Sequence, residues 1–113
     1  MSVASGWRRI EISELPQLLE RDDLTIFDMR DEFSYQQEHM GGARYLSNAN
    51  LEEMIMKTPR DKPVLIYCYH GNASQSGARI FADFGFREVY DLIGGYEGLR
   101  TALAAAAAEP AYA

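Results

Sequence analysis

One cysteine, Cys68, stands alone in a chain of 113 residues, so no internal disulfide can form and no Cys-x-x-Cys pair exists. With only two histidines beside it, the chain cannot assemble a Cys/His cluster of the structural-zinc kind. Long apolar runs are missing as well. No stretch approaches the roughly 20 residues that span a bilayer, and Met1-Ser2-Val3-Ala4-Ser5-Gly6-Trp7-Arg8-Arg9 lacks the apolar run of a secretory signal. These absences predict a reducing, cytoplasmic setting and no membrane partner. Positive charge is also scarce, with 11 Lys and Arg against 17 Asp and Glu and a net charge of -6. That balance argues against a nucleic-acid surface. It also denies an anionic ligand any long-range steering, so anion binding must come from local dipoles.

What remains is ordinary for a globular domain: 47% hydrophobic and 25% charged residues. Residues 1–113 are read as one domain, ordered over about 6–107 and frayed over 108–113. There are no internal repeats, and strand-like and helix-like segments alternate. Arg8 to Ile12 reads as an edge strand. Ser13 is placed as the N-cap of a helix carrying Leu15, Leu18 and Leu19, with Pro16 in its first turn. Leu24 to Asp28 reads as a buried strand, Asp31 to Glu38 as a short helix, and Tyr45-Leu46 as a brief extended piece. Leu51, Met54 and Ile55 mark a third helix, and Val64 to Tyr67 the next strand. A helix with Ile80, Phe81 and Phe84 on one side then stops at Gly85. Glu88 to Leu92 is the last strand, and Gly94-Gly95 opens a final helix that fades into Ala104 to Ala108. The alternation predicts an α/β domain: a mostly parallel sheet of about five strands, covered by helices on both faces.

Cys68 ends the Val64–Tyr67 strand and begins the turn Cys68-Tyr69-His70-Gly71-Asn72-Ala73-Ser74, with a helix behind it. Backbone N–H groups converge on a thiol in that position, and the helix N-terminus adds its dipole. Both favour negative charge on the sulfur and an anion beside it. An inert core cysteine needs no such loop, whereas Gly71 and Asn72 are residues that take left-handed geometry and curl amides toward one point. The residues therefore point to Cys68 as a nucleophile in an anion-binding loop.

Three separated segments resemble the rhodanese family. Asp28-Met29-Arg30, followed by Phe33, Tyr35, His39, Met40, Gly41, Gly42 and Ala43, is similar to its D-x-R…E-[FY]…G-H-I-P-G-A stretch, with a glycine in place of the proline. Cys68 to Ser74 resembles the active-site loop of the small GlpE-type thiosulfate sulfurtransferases. Val89-Tyr90-Asp91-Leu92-Ile93-Gly94-Gly95-Tyr96-Glu97-Gly98-Leu99 resembles the closing V-x-x-L-x-G-G-x-x-x-W element. Order and spacing make the three together specific.

The resemblance implies a thiosulfate:cyanide-type sulfurtransferase. Cys68 would be the catalytic nucleophile, and the backbone of Tyr69, His70, Gly71, Asn72, Ala73 and Ser74 the substrate-binding loop. No metal or organic cofactor is implied, because the sulfur travels as a cysteine persulfide. Thiosulfate is the implied donor; cyanide, or cellular thiols and dithiols such as thioredoxin, are the acceptors. Asp28 and Arg30 are read as structural support, a carboxylate and a guanidinium that pin neighbouring loops. His39 is read as a satisfied packing residue.

Loop length separates this chemistry from a related one. The family's loop has six residues, here Cys68 to Ala73, while phosphatase relatives have a longer loop ending in arginine that grips phosphate bidentately. Ser74 stands in that place, and Tyr67 where those enzymes usually carry histidine. A phosphatase or arsenate-reductase-like enzyme on the same cysteine is the alternative, and a non-catalytic rhodanese-like binding module is another. One departure concerns the donor: many family members carry Arg, Ser or Thr where this chain has Ala73. Ser74 either supplies that hydroxyl or caps the next helix, and the cap is the favoured reading. For His70 the residues leave two readings open, a group that stabilises the thiolate or the departing sulfite, and an exposed loop residue.

Overall fold

The computed structural model describes residues 7–108. Its elements run β1 (Trp7–Ile10), a 3-10 turn (Ile12–Glu14), α1 (Leu15–Leu19), β2 (Thr25–Asp28), α2 (Glu32–Gln37), β3 (Arg44–Tyr45), α3 (Leu51–Lys57), β4 (Val64–Tyr67), α4 (Ala73–Asp83), β5 (Val89–Leu92) and α5 (Gly95–Ala108). The fraying expected at the C-terminal end falls, beyond Ala108, outside the described residues. Among the described residues no helix is long and apolar enough to cross a membrane.

The five strands form one sheet in the order β1-β5-β4-β2-β3, and every pairing is parallel. β4 is central, and its side chains alternate between two cores. Leu65 and Tyr67 join Ile10, Leu15, Leu18, Ile26, Leu92 and Tyr96 on one face. Val64 and Ile66 join Phe27, Leu46, Ile55, Ala78, Phe81, Phe86 and Val89 on the other. A strand buried on both faces needs the unbroken apolar run that Val64 to Tyr67 supplies. Phe81 is fully buried against Phe27 and Phe86, with ring centroids 5.3 and 4.9 Å away. Truncating it to alanine should cost about 3–5 kcal/mol.

Three local readings change. Ser13 lies inside the 3-10 turn and caps no helix: Glu14 occupies the N-cap of α1, and its side chain accepts from the Glu11 amide at 2.9 Å. The buried face of α4 is Ser74, Gly77, Ala78 and Phe81, while Phe84 is exposed. The helix ends at Asp83, so Phe84 has left the helical phase before Gly85 turns the chain at φ 94°. Small residues on that face let α4 lie close to the sheet, and a Cβ on Gly77 would run into the Met29 sulfur. Asn72 stays right-handed, at φ -94° and ψ -58°. Gly71 alone supplies the left-handed step in the loop, at φ 92°.

Candidate active site

From β2 the chain moves outward to β3, and from β4 it moves the other way to β5. The loops leaving the carboxyl ends of β2 and β4 therefore part, which opens a crevice at the point where the strand order reverses. A cavity of about 210 Å³ occupies this crevice, lined by Met29, Arg30 and Asp31 from one loop and Cys68, Tyr69, His70, Asn72 and Ala73 from the other. A larger cavity, about 270 Å³, lies at the β1 edge between Arg8, Gln17, Arg21 and Tyr90. It holds no nucleophile, and its charged groups already pair as Arg8–Glu14 and Arg21–Glu88. Cys68 lines the smaller one.

Cys68 is buried at the floor of that crevice, with 4% of its surface exposed. Its Sγ accepts from the amides of Gly71 and Ser74, both at 3.2 Å. The left-handed Gly71 turns its N–H back onto the sulfur, and α4 presents its Ser74 amide from the first turn. Two inward amides on one sulfur are a fixed positive field that suits a thiolate or an anion beside it. Asn72 and Ala73, exposed in the cavity wall, place the opening turn of α4 along the same side.

The loop is seated from below by the start of α5. The amides of Tyr96 and Glu97 donate to the carbonyls of Cys68 and Tyr69 at 2.8 and 3.0 Å. Gly94 and Gly95 make the left-handed turn that allows this, at φ 85° and 62°. A Cβ on Gly95 would sit 2.5 Å from both carbonyl oxygens.

Asp28 and Arg30 form a buried ion pair beside the site at 2.7 Å. Asp28 also accepts from the Tyr67 hydroxyl at 2.7 Å and from the Arg30 amide at 2.8 Å. The Tyr67 hydroxyl in turn accepts from the Met40 amide at 3.1 Å, and Arg30 reaches on to the Glu38 carbonyl. The guanidinium lies 4.0 Å from the Tyr96 ring centroid. One ion pair thus ties the β2 loop, β4 and α5 together. Burial works against the Arg30 charge, but the Asp28 carboxylate more than offsets it and the net shift is upward. Burial first and Asp28 second push the Tyr67 hydroxyl well up. Burial and Glu38 push Tyr96 up to about 12.

At the mouth, Asp31 caps α2 by accepting from the Ser34 amide at 3.2 Å. It also accepts from the Tyr69 hydroxyl, which fastens the Cys68 loop to α2. The Tyr69 bond first, and the Ser34 bonds next, lower the Asp31 carboxyl to about 2. The Asp31 carboxylate thus puts negative charge in the cavity wall. His70 is exposed beside Tyr69, with ring centroids 6.3 Å apart. His39 is exposed rather than packed inside; its ring stacks on Tyr35 at 3.9 Å and its Nδ1 lies 2.6 Å from the Tyr35 carbonyl.

Ser74 departs from the cap reading. Asn72 holds the N-cap, and Ser74 points inward, fully buried. Its hydroxyl donates to Asp91 at 3.0 Å and lies 3.4 Å from the Cys68 sulfur. Asp91 is held by Arg9, whose Nη2 also donates to the Gly71 carbonyl at 2.6 Å. Neither Arg9 nor Asp91 was singled out by sequence. The available signal was a lone carboxylate within the otherwise apolar strand Val89–Leu92.

Comparison with known proteins gives the same picture from another direction. The family described as Rhodanese-like domain matches residues 11–102. The thiosulfate sulfurtransferase GlpE of Coxiella burnetii (strain RSA 493 / Nine Mile phase I) is 46% identical over 91 residues, covering 80% of this chain and 85% of that protein. The protein of the same name from Pseudoalteromonas translucida is 40% identical, covering 80% and 87%. Among solved structures, the BH2092 protein of Bacillus halodurans superposes with a TM-score of 0.74 at 25% identity, covering 84% of this chain and 72% of that one. The human single-domain sulfurtransferase TSTD1 superposes with a TM-score of 0.71 at 18% identity, covering 81% and 95%; at that identity the likeness is one of fold.

Proposed function

The chain belongs to the rhodanese family, and from that premise we propose that it is a thiosulfate sulfurtransferase working through a persulfide on Cys68. The observation that carries this reading is a single buried sulfur, held by two inward amides at the floor of an open crevice. The Cys68 thiolate attacks the outer sulfur of thiosulfate. The sulfur–sulfur bond of the donor breaks, and sulfite leaves with its electron pair. A cysteine persulfide remains, its outer sulfur lying along the turn that opens α4. A thiophilic acceptor attacks that outer sulfur, and the Cys68 thiolate is released as the leaving group. The chemistry is divided into two displacements, each assisted by fixed amide dipoles rather than by a proton relay.

Cyanide in an assay, or a cellular thiol or dithiol, fills the acceptor role. Phosphoryl transfer is disfavoured by the loop itself. It has no arginine at its end, and Ser74, the residue in that place, turns its hydroxyl to Asp91 instead of the cavity. The test is thiocyanate formation from thiosulfate and cyanide, run beside hydrolysis of an aryl phosphate. Thiocyanate production that disappears in Cys68→Ser, with no phosphate release, is expected. Phosphate release without thiocyanate would assign the cysteine to the other chemistry.

A further inference from the structure

Arg9 and Asp91 face each other across the β1–β5 pairing and meet behind the nucleophile. Asp91 is fully buried, and the Arg9 side chain is about one-third exposed at 34%. Arg9 Nε donates to Asp91 at 3.1 Å, and its Nη2 donates both to Asp91 at 3.1 Å and to the Gly71 carbonyl at 2.6 Å. The Ser74 hydroxyl donates to the same Asp91 oxygen at 3.0 Å. Gly71 and Ser74 are also the two residues whose backbone N–H groups hold Cys68 Sγ. A closed ring results: sulfur, Gly71, Arg9, Asp91, Ser74, and back to sulfur. Two apolar residues of similar volume would serve a buried strand at least as well as an ion pair, so this pair's value lies in what its ends hold.

We infer that Arg9 and Asp91 are positioning residues for the nucleophile: Asp91 draws the Ser74 hydroxyl proton away from Cys68, and Arg9 holds the Gly71 carbonyl, which fixes the left-handed turn whose N–H points at the sulfur. The inference rests on Cys68 being the nucleophile. Ser74 has one hydroxyl proton, and a carboxylate at 3.0 Å takes it. The Ser74 oxygen therefore shows a lone pair to Cys68, and at 3.4 Å it accepts from the thiol. The other ionisable groups lining the cavity with the sulfur are Tyr69 and His70 on the loop and Arg30 and Asp31 on the opposite side, with Tyr69 turned to Asp31 and Arg30 to Asp28. The first turn of α4 carries no acidic residue, and Glu97 on α5 is turned to Arg100.

Asp91→Asn should reverse the chain of hydrogen bonds. Arginine only donates, so the new amide keeps its oxygen on Arg9 Nε and turns its NH₂ to Ser74, while Arg9 Nη2 keeps the Gly71 carbonyl alone. The Ser74 hydroxyl is then free to donate to the Cys68 thiolate.

The test is the pH–rate profile for alkylation by iodoacetamide, a neutral reagent, in the full-length chain and its Asp91→Asn, Ser74→Ala and doubly substituted variants. Asp91→Asn is expected to move the profile down by about one pH unit, the scale of one hydrogen bond to a charged group. In the Ser74→Ala background the same change should have at most half that effect, because only the unbalanced Arg9 charge remains. No shift, or an equal shift in both backgrounds, overturns the proposal; a purely structural role would give one or the other. If Asp91→Asn does not fold, Arg9→Lys decides. One ammonium cannot hold Asp91 and the Gly71 carbonyl together, so the profile should move upward, and an unchanged profile overturns the proposal. Alkylation reads the thiolate alone, so failure here is distinct from failure of sulfur transfer, which is read by the mass that thiosulfate adds.

Discussion

The Tyr96 amide donates to the Cys68 carbonyl across 2.8 Å, so the backbone at Cys68 hangs from the first turn of α5. Gly95 is the residue that lets the two backbones meet. In Gly95→Ala the new methyl would lie 2.5 Å from the Cys68 and Tyr69 carbonyl oxygens, at a φ of 62°. The expected cost is on the order of 3 kcal/mol of stability, together with loss of most activity. Gly41→Ala, where a Cβ meets nothing within 4 Å, should stay within about 0.5 kcal/mol. Urea unfolding and thiocyanate formation on both variants check the contrast.

Removing Asp28 should be the costlier way to break the support beside the site. Asp28→Ala leaves the Arg30 guanidinium buried without its partner and should cost about 3–5 kcal/mol. Tyr67→Phe removes one donor to Asp28 and strands the Met40 amide, for about 1–3 kcal/mol. Denaturant midpoints that rank the two the other way would mean that Arg30 finds water instead.

Much of this framework could be read in the sequence, for reasons particular to each part. β4 was placed to the residue because a strand buried on both faces must be continuously apolar. Cys68 stands out in the sequence because a glycine-containing loop and a helix follow it, and the structure puts two of that segment's amides on its sulfur. The Ser74–Asp91–Arg9 chain was not found: Arg9 and Asp91 are 82 positions apart, and only the β1–β5 register brings them together. In α4 the apolar pattern locates Phe81 and Ile80 correctly but not Phe84, and it does not show Ser74, Gly77 and Ala78, which close approach to the sheet selects. Asn72 is of a type that tolerates a left-handed φ, yet in this loop Gly71 alone adopts one.

Asp31 predicts a signature in acid. Its folded pKa, about 2, lies below the ordinary 3.8, so its contribution is complete above the unfolded value and is lost as pH falls through about 2. Stability should therefore decline between pH 4 and 2, less steeply in Asp31→Asn and in Tyr69→Phe. Because the carboxylate is fully exposed, the difference should shrink in high salt. Urea midpoints at several pH values, with and without added salt, measure it.

Ala73 lines the cavity and offers no side-chain donor. Ala73→Ser or Ala73→Arg should lower the KM for thiosulfate. A gained charge-assisted hydrogen bond of about 1.5–3 kcal/mol limits the gain to roughly a hundredfold. Arginine should gain more than serine, because thiosulfate is a dianion and the arginine also counters Asp31. Its advantage should fade as salt is raised. An unchanged KM in both folded variants would mean that the donor does not pass this position.

Cys68 is the only thiol in the chain, so intact mass spectrometry after incubation with thiosulfate tests the persulfide directly and assumes no acceptor. A gain of one sulfur is expected, removed by cyanide or a reductant and absent in Cys68→Ser. An unchanged mass would contradict thiosulfate as donor, and a sulfur that still appears in Cys68→Ser would contradict Cys68 as the nucleophile.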